Sequence, residues 1–435
     1  MKEFAIKALR FLPLLIPLIW FMRTASRGLS YWFSPESTMN SEFDYMKGSA
    51  IDRTFFIVLE VLGILILLSR RINWKQFIKE NIWILILYVY MGMSVIWSDF
   101  PDVSFKRWVR TCGDLIMVTI LVTEIYYTVS IVKILRYGVT ILIPLSVLFI
   151  KYFRDLGVTY DITGAMEMWV GVTTHKNSLG QLACISAILI VWKLFTKYYK
   201  WKILDIPILI MSIWLLQGSS SATSRTSLGV FFFGLFLILL LMVIRQKVGI
   251  LKIFIGIVLP VLIIGSFLSS YFYSVNLFQW IIVQTGGDPT LTGRTYLWEE
   301  VIKIAKNFQP FGTGYGGFWI GGVANDLWQT FVWHPGQAHN GYIDVYVDIG
   351  IFGLFLLTIV IISVYRNIFE MLALNSEFGR LRMAVFSMIL IYNITESSLT
   401  KPTSLLWFLF LIVAIKVPEK FPEYNLTLER DLQKK

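Results

Sequence analysis

Charge is scarce in this sequence: Asp, Glu, Lys and Arg make up 15% of the 435 residues, while hydrophobic residues make up 56%. With a mean hydropathy of +0.67, this excludes an ordinary soluble domain and points to a polytopic membrane protein. Cysteine is nearly absent as well. Cys112 and Cys184 lie far apart, in or beside apolar runs, match no metal spacing and no redox pair, and read as packing residues. Acidic residues are outnumbered, leaving a net charge of +11. In a soluble protein that excess would suggest nucleic acid; in an apolar chain it reports topology, because Lys and Arg collect on cytoplasmic loops.

What is present in abundance is long apolar sequence. A span of about 30 Å of hydrocarbon takes roughly 17–25 residues, and about twelve candidate runs centre near Leu15, Leu62, Leu87, Val118, Leu142, Ile188, Ile210, Phe236, Val258, Leu356, Ile389 and Phe410. The first, MKEFAIKALRFLPLLIPLIWFM, has the basic start and apolar centre of a signal peptide, but no clear small-x-small site follows it. An uncleaved first helix is the expectation.

Alternate turnarounds carry the basic clusters: Arg70, Arg71, Lys75 and Lys79; Lys133 and Arg136; Lys193, Lys197, Lys200 and Lys202; Arg245, Lys247 and Lys252; Arg366, Arg380 and Arg382; and the tail ending in Lys434 and Lys435. The positive-inside rule then puts both termini in the cytoplasm. It leaves His175, His334 and His339 on the opposite face, with WSDFPDVSFKRWVR, GSSSATSRTS, TESSLTKPTS and one long glycine-rich loop. The expected fold is an all-α polytopic membrane protein of about twelve transmembrane helices with a large extracytoplasmic loop between the ninth and tenth. The expected divisions are helices one to nine over 1–270, the loop over 271–347, helices ten to twelve over 348–417 and a cytoplasmic tail over 418–435.

The stretch from Gly286 to Gly350 is the long polar interruption in an otherwise apolar chain. Within it Gly293 to Phe308 reads as an amphipathic helix, with Leu297, Val301, Ile304 and Phe308 on one stripe. Pro310 and the glycines at 312, 314, 316 and 317 predict a tight turn that docks the loop onto the helices. PFGTGYGGFW resembles a nucleotide-binding glycine loop only superficially, since that fingerprint needs a preceding strand and here a helix precedes it. His334 and His339, even with His175, show no zinc-ligand spacing, so no metal and no cofactor are expected.

Several side chains remain as candidates for chemistry. His339, beside Asn340 and Gly341 just before an apolar run, suits a proton-transferring imidazole or a loop histidine that is only hydrogen-bonded. Arg225 in SSATSRTS and Arg294 in LTGRTYLW offer planar forks for phosphate, with headgroup anchoring as the alternative. Lys176 in THKNSLG is a third phosphate candidate, whereas Arg107 and Arg110 favour anchoring. Carboxylates in apolar runs are costly and therefore notable: Asp344 and Asp348 share a helix face, Glu396 sits near the outer end of a run, and Glu60 lies inside one.

These motifs together resemble the O-antigen ligase and Wzy-type polysaccharide polymerase superfamily. The resemblance rests on WSDFPDVSFKRW, THKNSLGQ, GSSSATSRTSLGV, LTGRTYLW, GTGYGGFW and HNGYIDVYVDIGIFGL, and the combination of DPTLTGRTYLW, GYGGFW and AHNGYIDVYVDIG is most similar to ExoQ-type exopolysaccharide polymerases. It implies an inverting, metal-independent glycosyltransferase at the outer face of the bacterial cytoplasmic membrane, which polymerises undecaprenyl-diphosphate-linked oligosaccharide repeat units into exopolysaccharide or O-antigen. His339, Arg294 and Arg225 would be catalytic. Lys176, Asn340, Tyr342, Asp344, Arg107 and Arg110 would bind substrate. The partners implied are the lipid-linked donor, a saccharide acceptor, membrane lipids and polysaccharide-assembly proteins, with no nucleic acid. Two alternatives stay open: a ligase passing lipid-linked polysaccharide to lipid A core, and a transporter of lipid-linked oligosaccharide. The chain shows neither clear paired repeats nor the midplane polar breaks that favour a carrier.

Overall fold

The computed structural model describes residues 2–33, 49–160, 164, 166–196, 202–219, 223–243, 293–374 and 376–416. Helices cover every expected centre from Leu15 to Phe236 and from Leu356 to Phe410: α1 (Lys2–Thr24), α2 (Ala50–Ser69), α3 (Trp74–Glu80), α4 (Ile82–Met93), α5 (Pro101–Val122), α6 (Tyr127–Tyr152), α7 (Lys176–Leu194), α8 (Asp205–Gln217), α9 (Arg225–Val243), α10 (Arg294–Ala305), α11 (Gly321–Thr330), α12 (Gly341–Leu374), α13 (Ser376–Thr395) and α14 (Leu405–Ala414). The centre at Val258 and the loop residues before Gly293 lie outside the described residues. Among the described residues the helical expectation has one small exception, an antiparallel hairpin of β1 (Val158–Tyr160) and β2 (Glu167–Trp169).

Among the described residues four helices, α6, α7, α9 and α12, are long and apolar enough to cross a membrane, and α3 with α4 forms a further broken pair bent by 85°. The other helices are shorter or carry more charge, as α8 and α14 illustrate. What the helices bury separates two environments. Every residue of α14 is buried, so this all-apolar helix is an axis of the bundle, and Trp407 stacks on Phe410 at 5.1 Å. By contrast α2 turns Ile57, Val58, Val61, Leu62, Leu65 and Leu68 outward. A continuous apolar face of that kind suits hydrocarbon and would aggregate in water.

Polar contacts gather at two opposite ends. At one end Asp205 is buried between Lys193 (2.6 Å) and Arg136 (2.8 Å), Arg70 holds Ile120 O and Thr123 at 2.6 Å each, and Asn81 donates to Lys416 O at 3.0 Å. These are loops that the basic pattern assigns to one face. At the other end Arg27 donates to the carbonyls of Leu156, Gly171 and Thr173 at 2.7, 2.6 and 2.6 Å, and Lys401 pairs with Asp344 at 2.6 Å.

The described part of the long loop has its own core. Leu297, Trp298, Val301 and Ala305 of α10 pack with Phe318, Trp319, Leu327, Ile343 and Val347, with Ile304 partly buried beside them; the fourth residue of the expected stripe, Phe308, lies in the 3-10 turn after α10 and outside this core. The glycine run is a turn, with φ of 74°, 91° and 69° at Gly312, Gly314 and Gly316. It docks where α12 breaks, at Ile349 and Gly350, whose φ is 69°. A Cβ on Gly350 would stand 2.0 Å from Pro310 O, so only glycine lets the turn approach. The backbone groups freed by the break find partners in the turn: Thr313 N donates to Val347 O at 3.0 Å, Gln309 Nε2 to Tyr346 O at 3.2 Å, and Ile351 N to Gln309 Oε1 at 2.9 Å. Irregular backbone at such a position persists only where protein replaces the lost bonds.

Candidate active site

The loop end of the bundle converges on Glu396, the residue after α13. Its side chain is buried, yet Oε1 accepts from Asn177 Nδ2 at 2.6 Å and lies 3.4 Å from Arg294 Nη2, while Oε2 lies 3.8 Å from His339 Nδ1. Its carbonyl accepts from Gly341 N at 3.1 Å. Burial pushes such a carboxyl upward, but His339, Arg294 and His175 around it outweigh that and hold it below the ordinary glutamate value.

Four helices present their N-terminal ends here. Asn177 belongs to the first turn of α7, whose cap is His175 with Nδ1 accepting from Asn177 N at 3.2 Å. Thr226, in the first turn of α9, meets Thr395 hydroxyl to hydroxyl at 3.1 Å. Arg294 opens α10 after the left-handed Gly293 and also donates to Thr395 O, capping the C-terminus of α13. Gly341 opens α12. Helix N-termini carry partial positive charge, so this end of the bundle favours anions.

His339 reaches the cluster from a left-handed backbone, φ 51°, an uncommon conformation for a non-glycine residue that concentrates at functional sites. Its Nδ1 is 3.3 Å from the Gln337 side-chain amide, and its ring lies 6.0 Å from that of Trp333. No hydrogen bond to Nε2 forms among the described residues. The imidazole is therefore held through Nδ1, with its side chain 19% exposed.

The remaining expected residues divide into three groups. Arg225 is exposed in the first turn of α9, next to Thr226, and Lys176 is half-buried next to Asn177; neither forms an ion pair among the described residues. Asn340, Tyr342 and Asp344 are buried and occupied with the fold. Asn340 Oδ1 accepts from Tyr342 N and Ile343 N at 3.0 and 3.2 Å, which caps α12. The Tyr342 hydroxyl donates to Leu390 O at 3.0 Å. Asp344 accepts from Trp319 Nε1 at 2.9 Å and Ala338 N at 3.0 Å and pairs with Lys401. Arg107 donates to Gly316 O and secures the glycine turn. Arg110 lies over Phe56 at 4.9 Å, with Arg23 over the same ring at 5.2 Å. No contact among the described residues joins Arg110 to Glu396.

Sequence reasoning singled out Glu396 as a costly carboxylate but did not place it in the site; it weighed His175 only as a metal ligand and passed over Asn177 beside Lys176. The available signal was the polar cluster THKN opening one apolar run and a lone glutamate ending another. His334 is stacked on Trp328 at 5.4 Å, away from any such cluster. Among the described residues no three His, Cys, Asp or Glu side chains are grouped to hold a metal ion.

The family model described as O-antigen ligase matches residues 208–358, a segment that carries Arg225, Arg294 and His339. The resemblance to the O-antigen ligase and ExoQ-type family read from the motifs is borne out by this match and by a curated relative. That relative is the exopolysaccharide production protein ExoQ of Rhizobium meliloti (strain 1021), 27% identical over 297 residues. The alignment covers 65% of this chain and 64% of the relative, so the chain matches a little under two thirds of that protein's length.

Proposed function

We propose that the chain is a membrane glycosyltransferase that polymerises undecaprenyl-diphosphate-linked oligosaccharide repeat units into exopolysaccharide or O-antigen. The reaction takes place at the outer face of the bacterial cytoplasmic membrane, with both termini in the cytoplasm. The observation that carries this reading is the meeting of Arg294 and His339, from separate parts of the loop, on the carboxylate of Glu396.

In this reading His339 carries its proton on Nδ1, the nitrogen 3.8 Å from the Glu396 carboxylate, and the Gln337 side-chain amide, whose Nε2 stands 3.3 Å from that atom, turns over to present its oxygen. Nε2 then keeps a lone pair for an acceptor hydroxyl. The hydroxyl oxygen attacks the anomeric carbon of the donor sugar from the face opposite the diphosphate, and its proton passes to His339 Nε2. The bond from the anomeric carbon to the diphosphate oxygen breaks, and that oxygen leaves with the electron pair. Inversion follows from the single displacement. Arg225, Lys176 and the helix N-termini take up the developing negative charge, and Arg294 contributes from its place against Glu396. A diphosphate is already a good leaving group, so these cations suit a metal-independent transfer. The same geometry serves a ligase, with lipid A core as acceptor, and the description of the matched family model keeps that reading beside the first.

The test is turnover by purified protein in detergent with a lipid-linked repeat unit. Elongation is expected, and His339→Ala is expected to reduce it by about 10²–10⁴-fold, the usual contribution of a positioned acid or base. Full-rate elongation by His339→Ala and by Arg294→Ala would sink the assignment. Transfer only to a lipid A core acceptor would establish the ligase instead, and absence of any transfer would leave a carrier.

A further inference from the structure

The segment Phe331–His339, which runs from the end of α11 back to the imidazole, is lined with aromatic rings that the proposed transfer does not use. Trp333 is 38% exposed, and its ring lies 6.0 Å from that of His339 at an interplanar angle of 41°. Phe331 meets Trp333 edge-on at 6.1 Å and is itself packed against the core of the loop. On the far side Trp328 stacks on His334, and its Nε1 donates to Pro335 O at 3.1 Å. His334 takes up a left-handed backbone, φ 47°, and its N donates to Phe331 O at 3.0 Å. The turn is thus pinned at several points, and it holds a partly exposed indole beside the ring of His339.

An indole in this setting has a defined chemical complement. Its apolar face is only partly covered, and the groups around it are polar: Gln337, His339 and, behind them, Glu396. A pyranose ring matches that pattern, with axial C–H groups making one apolar face and hydroxyls around its rim. Aromatic rings offer large, rigid contact area at low conformational cost. A sugar stacked on Trp333 would stand beside the His339 ring, whose centroid is 6.0 Å from that of the indole.

We propose that Trp333, braced by Phe331, is the stacking platform for the acceptor sugar, the ring whose hydroxyl His339 deprotonates. The proposal rests on the glycosyltransferase reading for the word acceptor, but the saccharide site itself is independent of turnover. Trp333 is a binding and positioning residue; it takes no part in bond making. The competing role is an interfacial tryptophan anchored among lipid headgroups, and it predicts no dependence on saccharide.

The experiment uses full-length protein in detergent and a lipid-free oligosaccharide of one repeat unit, cut from the polysaccharide whose production depends on this protein in its host. Calorimetric titration of wild type, Trp333→Ala, Trp333→Phe and His339→Ala gives binding, and transfer from a saturating lipid-linked donor gives the acceptor KM and kcat. Thermal melts of each variant establish that it is folded. We expect Trp333→Ala to weaken saccharide binding and raise the acceptor KM by about tenfold with kcat little changed, Trp333→Phe to recover most of the loss, and His339→Ala to bind as wild type without turnover. Undiminished binding by folded Trp333→Ala, or no binding by wild type, overturns the platform. Binding lost in Trp333→Ala when wild type shows no transfer would leave the platform standing and remove the polymerase. Weakened retention of Trp333→Ala in phospholipid vesicles, with saccharide binding intact, would assign the indole to the membrane surface.

Discussion

Glu396 is where the behaviour of single residues can be tested. A carboxylate held below its ordinary value contributes stability that is fully present above the unfolded value, about 4.3, and is lost as pH falls through the lower folded value. Thermal melts of purified wild type at decreasing pH should therefore lose stability in acid below about pH 4. Glu396→Gln should melt lower than wild type at neutral pH and converge with it in acid; a constant gap across that range would mean that the charge of Glu396 is not the stabilising feature. The same substitution leaves Asn177 a partner but removes the carboxylate facing His339. Elongation by Glu396→Gln should accordingly fall by at least about tenfold, within the range that a positioned base contributes. Loss of kcat with an unchanged donor KM separates this role from loss of diphosphate binding.

Among the elements, the broken α12 and its neighbour α13 set the position of the site. A Cβ on Gly341 would stand 2.1 Å from Asn393 Oδ1, and that same oxygen accepts from Ser398 N and Leu399 N at 2.9 and 3.0 Å. Gly341→Ala must therefore displace the side chain that orders the turn after Glu396. Transfer should be lost in Gly341→Ala even in molecules that still insert, as judged by yield in the membrane fraction. Gln309 acts at the break itself. Truncation to Ala removes the partners of Tyr346 O and Ile351 N, and each unmade bond that stays away from water costs about 1–3 kcal/mol. A measurably lower melting temperature is the expected result for Gln309→Ala, and an unchanged melt would show that water replaces the side chain there.

For the whole molecule the question is sidedness. Contacts divide the described polar residues between two ends of the bundle, and Arg70, Arg136 and Lys193 of the basic clusters share one of them. With cytoplasmic termini, a cysteine introduced as Val332→Cys, where the native side chain is 87% exposed, should react with an impermeant maleimide in intact spheroplasts. One introduced as Ile203→Cys, 79% exposed at the opposite end, should react only after permeabilisation. The reverse labelling would invert the topology and remove the proposed outer-face reaction.

Hydropathy and charge in the sequence were enough for the helical class, for helices at the expected centres that fall on described residues and for the stripe of α10 up to Ile304, because these follow from local periodicity and from the cost of burying charge. The motifs carried the resemblance to the O-antigen ligase and ExoQ-type family, and the family model matches the chain over residues 208–358. Local sequence also predicted that the glycines would form a turn, though not that the turn fills a break in α12, since that depends on a backbone contact between Gly312 and Gly350. The site was only half legible. Arg225, Arg294 and His339 were visible as unusual residues, but Asn340, Tyr342 and Asp344 looked equally functional until their bonds within the fold were seen. Only the tertiary structure decided that Glu396 gathers Arg294, His339 and Asn177, because a carboxylate's partners are set by which helix ends the bundle brings together, and residues some 220 positions apart, such as Asn177 and Glu396 (|i−j| = 219), share no local signal.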